Sequence, residues 1–191
     1  GYAEPDPTMD VSGMDAAQKL AILCRLGCHS TGTGSDVFCE GIEQIEESDI
    51  EYARELGFVI KLLAIAKQKN GSVEARVHPA MVPTDSLLAN IHDEFNAIQV
   101  YGSAVGPQVF SGRGAGQMPT ASAVVADMVE LVERRVAGAG TAIGDMILGE
   151  EAVSIAAIEH VEMRYFLRAL VQDQPGVLER IARILAEENI S

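Results

Sequence analysis

The sequence predicts an α+β fold in which a mostly antiparallel, mixed sheet is covered by helices. Two strand-like runs surround the turn residues Asn70 and Gly71, and two further runs surround the stretch SAVG at 103–106. Helical patterns lie before and after this group of strands, whereas a parallel sheet would need a crossover between successive strands. This grouping of the strands favours an antiparallel sheet with helices on one face.

The amino-terminal part is predicted to hold a loop, two helices and a short strand. Residues 1–12 are rich in proline and aspartate, which is typical of a loop. The motif SGMD at 12–15 has the form of a helix start, and a second helix is predicted over 46–57 with Ser48 as its cap. The run VFCEGIEQI at 37–45 is typical of a short strand and a connection. The apolar face of the first helix is predicted to comprise Ala16, Leu20, Leu23 and Gly27.

The middle of the chain is predicted to form a hairpin, two more strands and a long helix. The hairpin pairs 58–68 with 73–83, and the two further strands are 96–102 and 107–112. Residues 86–91, which precede these two strands, are expected to form one helical turn. The glycine stretch GRGAG at 112–116 then leads into a helix with Pro119 in its first turn and Gly138 at its end.

The carboxy-terminal part is predicted to be a linker followed by a new unit. Residues 138–160 are first rich in glycine and alanine and then mixed, which indicates a linker with some helix. From residue 161 a strand pattern, the turn Pro175-Gly176 and an amphipathic helix follow. The predicted domains are therefore 1–137, 138–160 and 161–191. The chain opens on a polar motif and stops after a helix, so we expect it to be a fragment of a longer protein.

Composition narrows the classes of partner. The net charge of −14 disfavours non-specific binding to nucleic acid, and no apolar run approaches the length of a membrane helix. Three cysteines, Cys24, Cys28 and Cys39, make an odd count that suits a reducing compartment. We therefore expect a cytoplasmic protein that binds neither nucleic acid nor membrane. The cysteine spacing does not fit a zinc site, and no metal is predicted.

One lysine is surrounded by carboxylates near the start of the chain. Asp15 and Lys19 are four residues apart, which puts them on one helix face in the favourable order. An isolated pair of this kind is usually a surface ion pair worth a few tenths of a kcal/mol. Here Glu4 and Asp10 flank a loop stiffened by prolines, and their carboxylates can receive a cationic amine. A lysine beside them can polarise or protonate an oxygen, which suits acid chemistry on an amino-aldehyde.

Two further motifs are ambiguous on their own. Backbone amides of Gly112, Gly114 and Gly116, before a helix, can face a phosphate, yet the same spacing suits a tight strand-to-helix turn. His78 is placed where a base is conceivable, although a hydrogen-bonded structural histidine is the commoner use.

The stretch GYAEPDPTMDVSGMDAAQKLAIL resembles the signature of homoserine dehydrogenases, and so, in the family's order, do EARVHPAMVP, FNAIQVYG and GRGAGQMPTASAVVADMV. The resemblance covers residues 1–137. It implies that Lys19 is the acid–base residue, that Asp15 supports it and that Glu4 and Asp10 hold the amino acid. It also implies that Gly112, Gly114 and Gly116 lie near the cofactor.

The same resemblance implies the reaction. Members of this family interconvert homoserine and aspartate 4-semialdehyde with NADP or NAD, in the synthesis of threonine and methionine, and assemble as homodimers or tetramers. A nucleotide-binding half is expected upstream of this sequence. The alternative is a non-catalytic amino-acid-binding or assembly module with the same fold.

The tail LVQDQPGVLERIARILAEENIS resembles the opening strand, turn and helix of an ACT domain. ACT domains bind amino acids and regulate biosynthetic enzymes. The resemblance therefore implies an amino-acid effector at this tail, whereas a helix that merely packs is the simpler interpretation.

Overall fold

The computed structural model describes residues 6–69, 71–139 and 153–190. The chain divides into two units, Gly1–Val161 and Glu162–Ser191. The helices and strands of the first unit are, in order, α1 (Thr8–Val11), α2 (Met14–Cys28), β1 (Phe38–Cys39), α3 (Glu47–Glu55), β2 (Phe58–Lys69), β3 (Ser72–Pro83), β4 (Phe95–Gly102), β5 (Gly106–Arg113) and α4 (Gln117–Val136). Short 3₁₀ turns occur at Gly34–Asp36, Leu87–Asn90 and Ile158–His160. The second unit contains α5 (Val177–Glu187).

The predicted α+β fold is confirmed, and its strands are divided between two sheets. β2 and β3 form the first predicted hairpin, in which Lys69 pairs with Ser72 and Gly71 has a φ of +78° that glycine adopts without strain. The short strand β1 pairs with β3 in parallel, so the order of this mixed sheet is β1-β3-β2. The two further predicted strands are β4 and β5, which pair with each other as a separate antiparallel sheet, the second hairpin.

The core of the first unit lies where α2 packs against β2 and β3. The buried face of α2 is formed by Ala17, Leu20, Ala21 and Cys24, which meet Val73, Ala75 and Val77 of β3. The predicted face is right at Leu20 and wrong at Leu23, which is 41% exposed, and at Gly27, which is exposed. Small side chains at 17, 21 and 24 let the helix approach the sheet closely. The buried face is therefore rotated from the predicted stripe toward these small residues.

Both predicted helix starts are also corrected. α2 is preceded by Gly13 with φ +79°, because the short helix α1 already includes the residues before Ser12. α3 begins before Ser48, and its capping box is made by Glu46 and Asp49. The Asp49 carboxylate accepts a hydrogen bond from the Glu46 backbone N–H at 2.9 Å. Asp49 therefore helps to cap the start of α3, where the sequence predicted a cap by Ser48.

Residues 153–156 complete the edge of the core. The Val73 N–H donates to the Ser154 carbonyl at 3.0 Å, and the Ala156 N–H donates to the Val73 carbonyl at 2.8 Å. Ile155 packs on the core and fills the space beside Gly32, where a Cβ would lie 2.8 Å from Ile155 Cγ1. The predicted boundaries at 137 and 160 remain predictions, but this part of the predicted linker belongs to the packed structure of the first unit.

The second unit contains the predicted turn and helix. Gly176 has φ +89° and directly precedes α5. The strand predicted over 164–174 is absent, since no strand of the described residues pairs with this segment. A segment with a strand pattern joins a sheet only when a neighbour satisfies its backbone groups. In the part of the chain that the structure describes, no helix is both long and apolar enough to span a membrane.

Cys24 gives the folded core a pH dependence. Burial, followed by the influence of Cys28, raises the pKa of the Cys24 thiol from 9.0 to about 11. The folded state therefore keeps a proton that the unfolded state loses. The contribution of the Cys24 thiol to the free energy of unfolding is complete below pH 9 and is lost as the pH rises toward 11. We expect the free energy of unfolding to fall more steeply between pH 8.5 and about 10.5 in the parent than in Cys24→Ala. Urea titrations along this range would contradict the assignment if the two proteins gave parallel curves.

Candidate active site

Asp15 and Lys19 meet on the exposed side of α2. The Lys19 Nζ donates to Asp15 Oδ2 at 2.6 Å, and the two side chains are 66% and 39% exposed. Such exposure limits what the pair adds to stability. It also leaves the ammonium group accessible to a ligand while Asp15 holds it in one place. The predicted contact between these two residues is therefore present in the structure.

The turn that leads into this pair is tied to the sheet. The Ile42 N–H donates to the Val11 carbonyl at 2.9 Å, and the Cys39 thiol donates to the Ser12 carbonyl at 3.2 Å. Burial, followed by the nearby Glu43, raises the pKa of Cys39, so its thiol keeps the proton that it donates. A Cβ at Gly13 would lie 3.0 Å from Val77 Cγ1, so the turn lies directly on β3.

The carboxylates before the turn have different surroundings. Asp6 accepts hydrogen bonds from the Thr8 hydroxyl and backbone N–H, which lower its pKa and assign it a local structural role. Asp10 lies exposed in α1, and its carboxylate has no hydrogen bond or ion pair with any residue that the structure describes. Glu4 lies outside the described residues. The structure thus leaves the Asp10 carboxylate available to a ligand, and its role stays a prediction.

The three glycines of the stretch GRGAG have different surroundings. Gly116 has φ +118°, which L side chains rarely adopt, and it directly precedes α4. A Cβ at Gly114 would overlap the side chain of Asn96, only 2.7 Å from its Cγ. A Cβ at Gly112 would meet no atom within 4 Å. Steric requirements therefore explain glycine at 114 and 116 and leave glycine at 112 without a packing reason.

The start of α4 has the donors that an electron-rich group needs. The Thr120 N–H donates to the Gly116 carbonyl at 3.1 Å, which closes the first turn. The backbone N–H groups of Gln117 and Met118 have no acceptor inside a helix, and Pro119 has no N–H. A phosphate or carbonyl oxygen would suit these free amides. The cofactor role of Gly112, Gly114 and Gly116 stays a prediction.

The structure brings together some of the predicted residues and not others. Among the described residues, no hydrogen bond or ion pair joins the glycine loop to Asp15 or Lys19. His78 lies on β3, where its Nε2 accepts from Arg76 Nε at 3.3 Å and its Nδ1 lies 2.8 Å from the Pro79 carbonyl. Both ring nitrogens thus have protein partners, as a structural histidine requires. No three metal-ligating side chains cluster among the residues described.

Comparison with known sequences identifies the family. The sequence model described as homoserine dehydrogenase matches residues 1–129, more than half of the chain. The chain belongs to the homoserine dehydrogenase family. The matched range includes every residue predicted to act on substrate or cofactor, from Glu4 to Gly116.

Curated relatives that match the whole of this chain are also named homoserine dehydrogenase. A homoserine dehydrogenase from Pseudomonas aeruginosa is 41% identical over 194 residues, which covers 100% of this chain and 45% of the relative. One from Corynebacterium glutamicum is 43% identical over 196 residues, which covers 43% of that relative. The chain therefore spans a little under half the length of these homoserine dehydrogenases.

Solved structures share the fold. The crystal structure of a homoserine dehydrogenase from Thiobacillus denitrificans superposes with a TM-score of 0.80 at 37% identity, over 97% of this chain and 43% of that one. The S. aureus homoserine dehydrogenase matches with a TM-score of 0.64 at 42% identity, over 69% of this chain and 33% of that one. The fold and the family assignment therefore agree.

Sequence reasoning missed the residues that contact the glycine loop in this member of the homoserine dehydrogenase family. Glu94 and Asn96 approach Arg113 and Gly114 from the start of β4. The sequence predicted a strand in each of these segments, and the structure pairs them, with Asn96 opposite Gly112. No periodic pattern indicates which side chain occupies the space beside Gly114.

Proposed function

We propose that the protein containing this chain interconverts L-homoserine and L-aspartate 4-semialdehyde with NADP or NAD. The observation that carries the proposal is the accessible ammonium of Lys19, held at 2.6 Å by Asp15, together with an exposed carboxylate, Asp10, in the short helix that precedes α2. A cation with a fixed position can act on an oxygen, while a nearby free carboxylate can bind an amine. A substrate with an oxygen at one end and an amine at the other matches both.

Lys19 serves the oxygen of the substrate. As the aldehyde is reduced, negative charge develops on its oxygen, and an ammonium group at hydrogen-bond distance stabilises that charge. Lys19 then donates the proton that completes the alcohol, and in the reverse direction it takes this proton back. Asp15 fixes the position of the Lys19 ammonium through the hydrogen bond between them.

Glu4 and Asp10 hold the substrate by its amino group. Their carboxylates accept hydrogen bonds from the ammonium, which orients the carbon chain toward Lys19. Charge-assisted bonds of this type are the stronger ones in proteins. A compound that lacks the amine would lose them and bind weakly.

The glycine loop contributes part of the cofactor site. The nicotinamide group, when bound, supplies or accepts the hydride. Gly112, Gly114 and Gly116 let the backbone approach the cofactor closely, and the free amides of Gln117 and Met118 face its electron-rich atoms. The remaining contacts are expected from residues that lie outside this chain.

The reaction is tested at the full length of the relatives. Homoserine should support reduction of NADP⁺ or NAD⁺, measured at 340 nm, whereas 4-hydroxybutyrate, which lacks the amine, should support at most about 1% of that rate. Equal rates with both alcohols would contradict the proposed role of the acidic loop.

The 191-residue chain alone should be inactive. A few loop amides make a weak site, so calorimetry should detect no NADPH binding tighter than about 1 mM. A micromolar dissociation constant would mean that this chain contains a complete cofactor site. The cofactor and the Asp15–Lys19 pair would then both belong to this chain.

Assembly and regulation extend the proposal. Large apolar side chains are exposed on the second hairpin and on α4, including Phe95, Ile98, Phe110, Val125, Met128 and Leu131. Exposed apolar surface of this extent supports self-association as a homodimer or tetramer. Sedimentation of the chain at micromolar concentration should therefore show a dimer or a larger species. An amino-acid effector at the ACT-like tail remains a proposal that rests on the resemblance alone.

A further inference from the structure

We propose that Asn96 is a positioning residue for the glycine loop, and that its side chain sets the place of Gly114. The inference rests on the proposed cofactor role of this loop. Beside Gly114, the space for a Cβ is filled by the Asn96 side chain, with the Asn96 Cγ 2.7 Å and the Asn96 Cβ 3.5 Å from that point. The loop backbone therefore lies directly on the Asn96 amide.

The contact is steric. Asn96 makes no side-chain hydrogen bond with any residue that the structure describes, and its side chain is exposed. The amide therefore supports Gly114 by occupying volume. This distinguishes Asn96 from residues of the hairpin whose side chains bond to neighbours, such as Gln99, which donates to the Tyr101 hydroxyl at 2.6 Å.

Other contacts hold the loop against the same segment. The Gly114 N–H donates to the Glu94 carbonyl at 3.0 Å. The Arg113 Nε lies 3.4 Å from Glu94 Oε1, and the Arg113 guanidinium lies 5.8 Å from the centre of the Phe95 ring. Glu94 thus holds the loop through the Gly114 backbone, and Glu94 and Phe95 hold it through the Arg113 side chain. Asn96 limits how closely the loop can approach β4.

The position of Gly114 determines the position of the α4 amides. β5 ends at Arg113 and α4 begins at Gln117, so only three residues connect them. Gly116, the last of the three, has a φ of +118°, a conformation that L side chains rarely adopt. A displacement at Gly114 is therefore transmitted to the Gln117 and Met118 N–H groups. Cofactor binding should depend on Asn96, whereas homoserine binding at the acidic loop should not.

A double-mutant cycle tests this at the full length of the relatives. Asn96→Ala, Gly114→Ala and the double variant are compared by KM for NADP⁺ at saturating homoserine and KM for homoserine at saturating NADP⁺. We expect Gly114→Ala to raise the KM for NADP⁺ about threefold, because either the Asn96 side chain or the loop must shift to admit a Cβ. Asn96→Ala should raise it by a smaller factor. Neither should change the KM for homoserine more than about twofold.

The double variant decides the matter. Asn96→Ala removes the atoms that clash with a Cβ at 114, so the double variant should bind NADP⁺ better than Gly114→Ala alone. Gln108→Ala on β5 is the matched control, since the Gln108 side chain bonds only to the adjacent Pro107 carbonyl, and it should leave both constants unchanged. Additive effects in the cycle, or equal rises in both KM values, would overturn the proposal.

Thermal unfolding separates this inference from the proposed reaction. Should the parent protein show no activity with homoserine, the proposed function fails, and the melting temperatures of the same four proteins still test the contact. Gly114→Ala should lower the melting temperature, and Asn96→Ala should restore part of the loss. Gly112→Ala, which places a Cβ in open space, should leave the melting temperature unchanged. Equal losses for Gly112→Ala and Gly114→Ala would overturn the assigned contact.

Discussion

Lys19→Ala is expected to lower kcat for homoserine oxidation about 10²–10⁴-fold, the usual weight of one acid–base group. Without the ammonium, the developing charge on the substrate oxygen has no cation beside it and no proton source. The dissociation constant for NADP⁺ should stay within about twofold of the parent, because Lys19 contacts the substrate oxygen in this mechanism. Stopped-flow or steady-state assays together with a binding titration measure both quantities on one preparation.

An ion pair of the same geometry provides the control. In α4, Arg134 Nη2 lies 2.7 Å from Glu130 Oε1, also four residues apart, with Glu130 exposed and Arg134 half-buried. Arg134→Ala removes an equivalent surface pair, worth a few tenths of a kcal/mol, without touching the acidic loop. If Lys19→Ala retained kcat within about threefold of the parent, as Arg134→Ala should, Lys19 would be an ordinary surface ion pair.

Asp10→Asn is expected to raise the KM for homoserine about thirtyfold or more, which corresponds to about 2 kcal/mol for a charged contact that the bound substrate buries. The KM for NADP⁺ should remain near that of the parent. Glu4→Gln should act in the same direction for the same reason. Initial rates over a matrix of both substrate concentrations separate the two constants.

Asp6 gives this prediction its matched control. Asp6 lies four residues before Asp10, but its carboxylate is bonded to Thr8 at the start of α1. Asp6→Asn should therefore leave the KM for homoserine within about twofold of the parent. A similar rise for Asp6→Asn and Asp10→Asn would indicate a general loss of the loop structure or of its charge, and would remove Asp10 from the proposed substrate site.

Local signals in the sequence predicted the elements whose structure is decided locally. Gly71 between two apolar runs specified the first hairpin, and Gly57, with φ +82°, follows the end of α3 as predicted. The face of α2 was missed at Leu23 because a hydrophobic pattern gives most weight to large residues. The buried positions beside β3 are instead occupied by small residues, Ala17, Ala21 and Cys24, which allow a close approach.

The candidate site also contains one contact that local sequence predicts and one that it does not. The Asp15–Lys19 contact follows from helical spacing, and the structure contains it. The contact between Asn96 and Gly114 depends on how a loop leaves the end of a hairpin, which no pattern within either segment specifies. The packing of Ile155 beside Gly32 is likewise a contact between distant segments, and only the folded chain brings them together.

Ile155 pairs with Val73 at the edge of β3. During synthesis, Val73 leaves the ribosome about eighty residues before Ile155. At about 5–20 residues per second, that edge stays uncovered for several seconds of synthesis. An uncovered strand edge can pair with another nascent chain, which is a route to aggregation. Expression conditions that slow translation should lengthen this interval and lower the soluble yield. A chain stopped before residue 153 would never acquire its cover, so truncation at the predicted boundary of 137 is expected to give an aggregating product.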